Sequence, residues 1–159
     1  MSQKKSKLFL SLSELLRYPS MRPVVRFGSW LHVFLYRVTG GRAQIAKYPT
    51  MLITVRGRKT GKLYTTPLIY IRDKDRYVIA AAYSGSDKDP LWWCNLQSNP
   101  EAELQVMNHC LKVRAEQALP EERAALWQTL SQMYPYFTDY ESRTTRQIPV
   151  VVLTPITDA

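Results

Sequence analysis

The residues best able to do chemistry lie in one short run, "VRGRKTGKLYTTPLIYIRD" at 55–73. Arg56, Arg58, Lys59 and Lys62 crowd around Gly57 and Gly61, and the run continues straight into an apolar, β-branched stretch. Successive backbone N–H groups in a glycine-containing turn form a cradle for anions. Charge-assisted hydrogen bonds from Arg58, Lys59 or Lys62 would add about 1.5–3 kcal/mol each. Thr60, Thr65 and Thr66 bring hydroxyl donors. The same residues also suit a charged hairpin turn that keeps a sheet edge soluble. The run by itself does not separate the two readings. It is not a phosphate loop of the kinase or GTPase kind, because the spacing differs and the turn enters a strand, not a helix.

Three further runs carry candidate chemistry. In "AAAYSGS" (80–86) small residues at a strand end let a flat ligand, or a packing helix, come close. "WWCNL" (92–96) sets Trp92 and Trp93 beside Asn95, either as a wall with an amide to bond a ring or as plain core. "MYPYFTDY" (133–140) gathers Tyr134, Tyr136, Phe137 and Tyr140. Those phenols could position a reduced substrate or give it a proton, and they equally suit an aromatic plug over a barrel end. No Ser-His-Asp constellation is visible. The two histidines, His32 in an apolar helix and His109 in a hairpin turn, read as structural. Cys94 and Cys110 lack a CxxC spacing or a partner histidine, which argues against a metal site or disulfide framework and for buried thiols in a reducing compartment.

The elements that must position these runs follow from periodicity. Leu8, Leu10, Leu12, Leu15 and Leu16 suggest a first helix, broken by Pro19 and Pro23. A second apolar helix spans 28–38 and ends at "TGGR" (39–42). It is apolar nearly all round, so it is expected to pack on the domain. From residue 50 the period becomes two. Strands are expected at 51–55, 63–71 and 77–83 as a meander, with Pro67 marking an edge, bulge or bend. Asp89 and Pro90 read as N-cap and first residue of a short helix. Strands at 101–107 and 110–118 flank a turn at Asn108-His109, a helix spans 120–134, a short helix follows, and 148–155 is a buried closing strand. Six strands joined mostly by hairpins point to an antiparallel barrel with helices attached, an α+β fold with a mainly β core.

The 159 residues, 45% of them hydrophobic, suit a single domain: a basic helical segment at 1–45 and a core at 50–155. Of the net charge of +9, residues 1–62 carry 13 Lys and Arg against one acid, Glu14. This basic half should attract a phosphorylated cofactor, a membrane surface or a nucleic acid. Few aromatics of the second half interleave with it, which argues against nucleic acid. The N-terminus lacks a signal-peptide cleavage site, and "FGSWLHVFLY" (27–36) is too short to span a bilayer. A cytoplasmic protein is expected, with peripheral contact on the inner face of a membrane through its basic helices left open.

Taken in order, "YRVTGG" (36–41), "GRKTGK…TTPLIYIRD", "SGSDKDPLWWCNLQSNPEAELQV" and "YPYFTDYESRTTRQIPVVVL" resemble the deazaflavin-dependent nitroreductase and quinone reductase family over roughly residues 30–155. The resemblance implies an antiparallel split β-barrel of the flavin-reductase type. It implies coenzyme F420, a 5-deazaflavin with a phosphate and an oligoglutamate tail, and hydride transfer to a flat acceptor such as a quinone or nitroaromatic. Carried over by position, Arg58, Lys59 and Thr60 meet the phosphate or tail. Tyr64, Thr65, Thr66, Pro67, Leu68 and Ile69 line the cofactor, and Ala80, Ala81, Ala82 and Tyr83 sit beside its ring. Leu91, Trp92, Trp93, Cys94 and Asn95 close that side. Tyr134 and Tyr140, with Phe137, surround the acceptor. No metal is implied. The chain departs from the family at Ala82, Tyr64, Ile69 and Phe137, where hydroxyl or basic donors can occur. An FMN-binding barrel and a non-enzymatic lipid- or anion-binding module are the rival expectations; the protein is expected as a monomer or homodimer.

Overall fold

The structure, a computed structural model, describes residues 19–156. The first expected helix, at Leu8–Leu16, lies outside them.

Seven strands make one antiparallel sheet: β1 (Thr50–Arg56), β2 (Leu63–Ile69), β3 (Ile71–Asp73), β4 (Arg76–Ala80), β5 (Glu101–Val106), β6 (His109–Gln117) and β7 (Val150–Pro155). Their order across the sheet is β2-β1-β5-β6-β7-β4-β3. The two edge strands, β2 and β3, are consecutive in the chain with only Tyr70 between them. One run of chain therefore supplies both edges, and the sheet must curl until they meet. Period-two alternation then gives each strand an inner and an outer face. Met51, Ile53, Val55, Ile79, Leu104, Val113 and Leu153 pack inside the curl. Val78, Ala80, Val150 and Val152 face outward into a second core.

Four helices cover this frame: α1 (Arg22–Val38), α2 (Leu91–Ser98), α3 (Pro120–Met133) and α4 (Tyr136–Ser142). Trp92, Trp93 and Leu96 of α2 join the interior cluster. Leu126 and Leu130 of α3 and Tyr136, Phe137 and Tyr140 of α4 build the outer core. Val33 and Tyr36 of α1 pack on Leu52. The Tyr36 hydroxyl donates to the Thr50 carbonyl at 2.8 Å and accepts the Met107 N–H at 2.9 Å. The chain leaves α1 through Gly41, where a Cβ would sit 2.4 Å from Met107 Cα, so only glycine lets the two backbones pass.

Several local expectations are corrected. The strand expected over 63–71 splits at Tyr70, because its first half pairs with β1 and its second with β4, which makes seven strands where six were expected. The strand expected over 77–83 stops at Ala80, and Tyr83–Gly85 form a 3₁₀ turn with three successive positive φ angles of 44°, 52° and 76°. The β5–β6 turn is Met107-Asn108, one residue early, since Val106 pairs with His109 and Met107 is held by Tyr36 and Gly41. Asp89 does not cap α2, which begins after Pro90; its carboxylate goes to Arg146. The helix expected at 28–38 starts at Arg22, with Pro23 in its first turn where the missing N–H costs nothing.

Helix α1 also packs less than expected. It buries only Val33 and Tyr36, while Phe27, Trp30 and Phe34 are 63%, 61% and 51% exposed. It lies against the barrel on one side, and among the described residues nothing covers the other. Pro67 does occupy an edge strand, where a missing backbone donor is tolerated.

Candidate functional site

The cationic run forms a tight turn between β1 and β2. The Gly57 N–H donates to the Lys62 carbonyl and the Gly61 N–H to the Gly57 carbonyl, both at 2.8 Å. Arg56 bonds the Gly61 carbonyl at 2.9 Å and so braces the turn instead of facing a ligand. A Cβ on Gly57 would lie 2.6 Å from the Tyr64 ring and 2.8 Å from Thr60 Oγ1. Glycine thus lets Tyr64 fold over the turn, and its hydroxyl meets Thr60 Oγ1 at 3.1 Å. Arg58, Lys59, Thr60 and Lys62 are all exposed. Among the described residues no carboxylate pairs with these three cations. Their charges are available to an anion.

The turn is tied to α2. The Arg58 backbone N–H donates to Asn95 Oδ1 at 3.2 Å across 37 residues of sequence. Two of the candidate runs are therefore neighbours in space. Within α2, Trp92 and Trp93 are buried, Cys94 and Asn95 half-buried, and Leu91 exposed. The Trp93 indole N–H is buried without a hydrogen-bond acceptor. A buried donor left unpaired costs about 1–3 kcal/mol, so it marks a place where an acceptor would be gained.

Alternation divides the strand 64–69. Register pairs Thr65 with Thr54 and Pro67 with Leu52. The Thr54 and Thr65 hydroxyls meet at 2.9 Å on the outer face. Leu68 packs with the interior cluster and Ile69 with the outer core. Tyr64 and Thr66, in phase with Leu68, belong to the inner side. The six residues read as one lining therefore split into two faces. The small-residue run divides likewise: Ala81 is interior, and Ala80 and Ala82 belong to the outer core. Tyr83 is 48% exposed.

The loop after Ala80 is held by a residue the sequence did not single out. Arg146 donates from Nη2 to the carbonyls of Ala81 (2.9 Å) and Ala82 (3.2 Å), from Nε to the Ser86 carbonyl (2.8 Å), and from Nη1 to the Asp89 carboxylate (2.8 Å). Thr144 adds a 2.8 Å bond to Asp87. Gly85 is pressed against α4, where a Cβ would lie 2.5 Å from the Tyr140 carbonyl. Left-handed non-glycine residues such as Tyr83 and Ser84 cost of order 1–3 kcal/mol each, and persist only where surrounding contacts enforce them.

The aromatic run forms a buried cluster. Tyr134, Tyr136, Phe137 and Tyr140 pack among themselves, and Tyr48 joins by an edge-to-face contact with Tyr134 at 4.8 Å. The Tyr134 and Tyr140 hydroxyls are 3.4 Å apart. Burial, reinforced by Tyr140, pushes the Tyr134 phenol far above the usual tyrosine range. It stays neutral and keeps its proton. This cluster lies on the outer face of β4 and β7, behind the 81–89 loop, so it supports that loop from the side away from the barrel interior.

Two shallow clefts lie elsewhere, one along Arg114, Glu116 and Thr154–Ile156, the other along Gln117, Pro120, Arg123 and Gln147. Neither touches the residues above. Among the described residues no group of three His, Cys, Asp or Glu could hold a metal ion, and no helix is long and apolar enough to cross a membrane.

A curled antiparallel sheet whose two edges come from one split run of chain, with a cationic turn at one end and helices packed on it, defines a split β-barrel of the flavin-reductase type. Within that class the chain belongs to the F420H(2)-dependent quinone reductase family, whose model matches residues 29–155. It is 39% identical over 130 residues to an F420H(2)-dependent quinone reductase of Mycobacterium tuberculosis, covering 78% of this chain and 87% of that one. Among solved structures it is similar to an F420-H2-dependent reductase, with 31% identity, a TM-score of 0.62, and coverage of 66% and 93% of the two chains. It is also similar to a protein described as a domain-swapped dimer, with 28% identity, a TM-score of 0.63, and coverage of 78% and 96%.

Proposed function

We propose that the protein reduces a quinone-type acceptor with reduced coenzyme F420. The observation that carries this reading is the turn at 57–62, with three exposed cations that no carboxylate among the described residues pairs, bonded through Arg58 to the helix that bears Asn95. A cofactor with a phosphate, a polyanionic tail and a flat ring needs such a sequence of surfaces. The residues present fit it. Arg58, Lys59 and Lys62 supply charge, Tyr64 and Thr60 a rim, and the buried, unpartnered Trp93 N–H a donor within α2.

When bound, F420 supplies the hydride, a two-electron step. Lys59 and Arg58 grip the phosphate or tail. Tyr64, Thr66 and Leu68, together with Ala81, line the inner side, and Leu91 and Asn95 close it. Thr65, Pro67 and Ile69 act from the outer face, setting the strand's bend. Ala80, Ala82, Tyr83 and Cys94 shape the wall beside the ring, with Trp92 and Trp93 behind it. Tyr134 and Tyr140, with Phe137, hold that wall from behind and orient the acceptor through it. The upward shift of the Tyr134 phenol favours donation of a hydrogen bond over loss of a proton. A quinone is preferred to a nitroaromatic as acceptor, in keeping with the family and the named relative. Assembly as a homodimer is supported by the neighbour described as a domain-swapped dimer.

A peripheral contact with an anionic membrane surface belongs to the same reading. It is supported by the bare aromatic face of α1 and the exposed Arg22, Arg26, Arg37 and Arg42 around it. A second copy is disfavoured as the cover, since residues 1–62 would bring cations against cations with one acid in each copy.

The decisive experiment mixes pure protein separately with F420, FMN and FAD and measures binding to each. Selective F420 binding, followed by quinone-dependent oxidation of reduced F420, is expected. FMN bound more tightly than F420 would overturn the assignment, and no binding of any of the three would leave an anion- or lipid-binding module.

A further inference from the structure

We infer that Arg146 is a positioning residue for the reaction, acting through the loop 81–89. This rests on the F420 reading above. The basis is the geometry of one guanidinium. It reaches the carbonyls of Ala81, Ala82 and Ser86 and the carboxylate of Asp89, so it fastens both ends of the loop at once. Its side chain is 17% exposed, and that of Asp89 33%, so the ion pair is partly shielded from water. A planar fork can do this; a point-charge ammonium cannot reach four acceptors in one plane.

The loop would not keep its shape unaided. Tyr83, Ser84 and Gly85 are all left-handed; glycine takes such a φ freely, but Tyr83 and Ser84 hold theirs only while the surroundings enforce it. Beyond Asp89, after Pro90, α2 begins, and its Asn95 holds Arg58. The cationic turn is braced independently, by its own backbone bonds and by Arg56. If the Arg146 fastening slackens, the ring-side wall moves while the turn's charges stay where they are. Rate depends steeply on reactant alignment, whereas affinity for a polyanionic cofactor depends chiefly on charge. The expected signature is a fall in kcat with cofactor affinity nearly preserved.

The test compares wild type, Arg146→Lys and Arg146→Ala. The expected result for Arg146→Lys is a native melting profile, an F420 Kd within threefold of wild type, and kcat per folded molecule down at least tenfold. Amide exchange should rise at 82–88 and not in β1 or β5. Arg146→Ala should be worse in every respect, and Asp89→Asn intermediate. A merely structural role predicts kcat per folded molecule unchanged in all three variants, and that outcome would overturn the inference while leaving the F420 reading intact. Unaltered exchange at 82–88 in Arg146→Lys would overturn it equally. If wild type itself fails to bind F420, the reading falls and the inference with it.

Discussion

The backbone N–H of Arg58 and the side-chain oxygen of Asn95 meet at 3.2 Å, joining a turn and a helix that lie 37 residues apart. Through this bond the cationic turn and the Trp-bearing helix become one surface. The Arg58 side chain itself is exposed.

Lys59→Ala should weaken F420 binding by about ten- to a hundredfold, the loss of one charge-assisted hydrogen bond. The residue is exposed, so the melting temperature should not move. Fluorescence titration of the cofactor reads the affinity, and rising salt should weaken wild type more than the variant. An unchanged Kd would remove Lys59 from the site.

Asn95→Ala frees the Arg58 N–H without touching a charge. A neutral hydrogen bond contributes about 0.5–1.5 kcal/mol, so affinity should fall about two- to tenfold. Asn95→Gln keeps an uncharged amide acceptor and should restore part of the loss if orientation of the turn is the cause. Equal affinities in all three proteins would show the junction to be idle in binding.

Tyr134→Phe keeps the ring packing and removes a hydroxyl from a 3.4 Å contact, so the stability change should stay under about 1 kcal/mol. Cofactor binding should be intact and quinone turnover slower. Matching steady-state rates for the two proteins would exclude an acceptor-orienting role.

Alkaline pH should unfold the protein through its buried phenols. Burial raises Tyr36, Tyr70 and Tyr134 above the usual tyrosine value. The unfolded chain releases these protons near pH 10, while the folded one keeps them. Their contribution to stability is thus complete below about pH 10 and is lost progressively as pH rises beyond it. Denaturant midpoints measured from neutral pH upward should be flat and then fall. A midpoint that stays level to pH 11 would contradict this.

Replacing Phe27, Trp30 and Phe34 together by Ser should abolish sedimentation with phosphatidylglycerol-containing vesicles. Inserted aromatics contribute about 1.5–3 kcal/mol each, so the combined loss is at least a hundredfold. The fold should survive, since these side chains already face solvent. Vesicle binding that persists in the triple variant would assign the contact to charge alone.

Much of this was legible in the chain. The turn at 57–62 is written in its glycines and cations, and β7 in four successive buried residues, Val150 to Leu153. Those signals are local. The splitting of 63–73 into two edges was not legible, because the residues are equally strand-like on both sides of Tyr70. Only the choice of partner, β1 or β4, separates them. Met107 gave no turn signal; its left-handed φ is imposed by Gly41 and Tyr36. Arg146 resembled any other loop arginine, since its four acceptors lie 57–65 residues away.

By itself the sequence determined the strand period and the concentration of charge in its first 62 residues, because each depends on neighbours within a few positions. Tertiary structure alone decided which side chains share a face. Strand alternation sent Leu68 inward and Ile69 outward, and curling of the sheet brought Asn95 to Arg58. It left the aromatic face of α1 bare although its composition called for burial. Burial and proximity are set by closure of the barrel, a long-range event that no local pattern encodes.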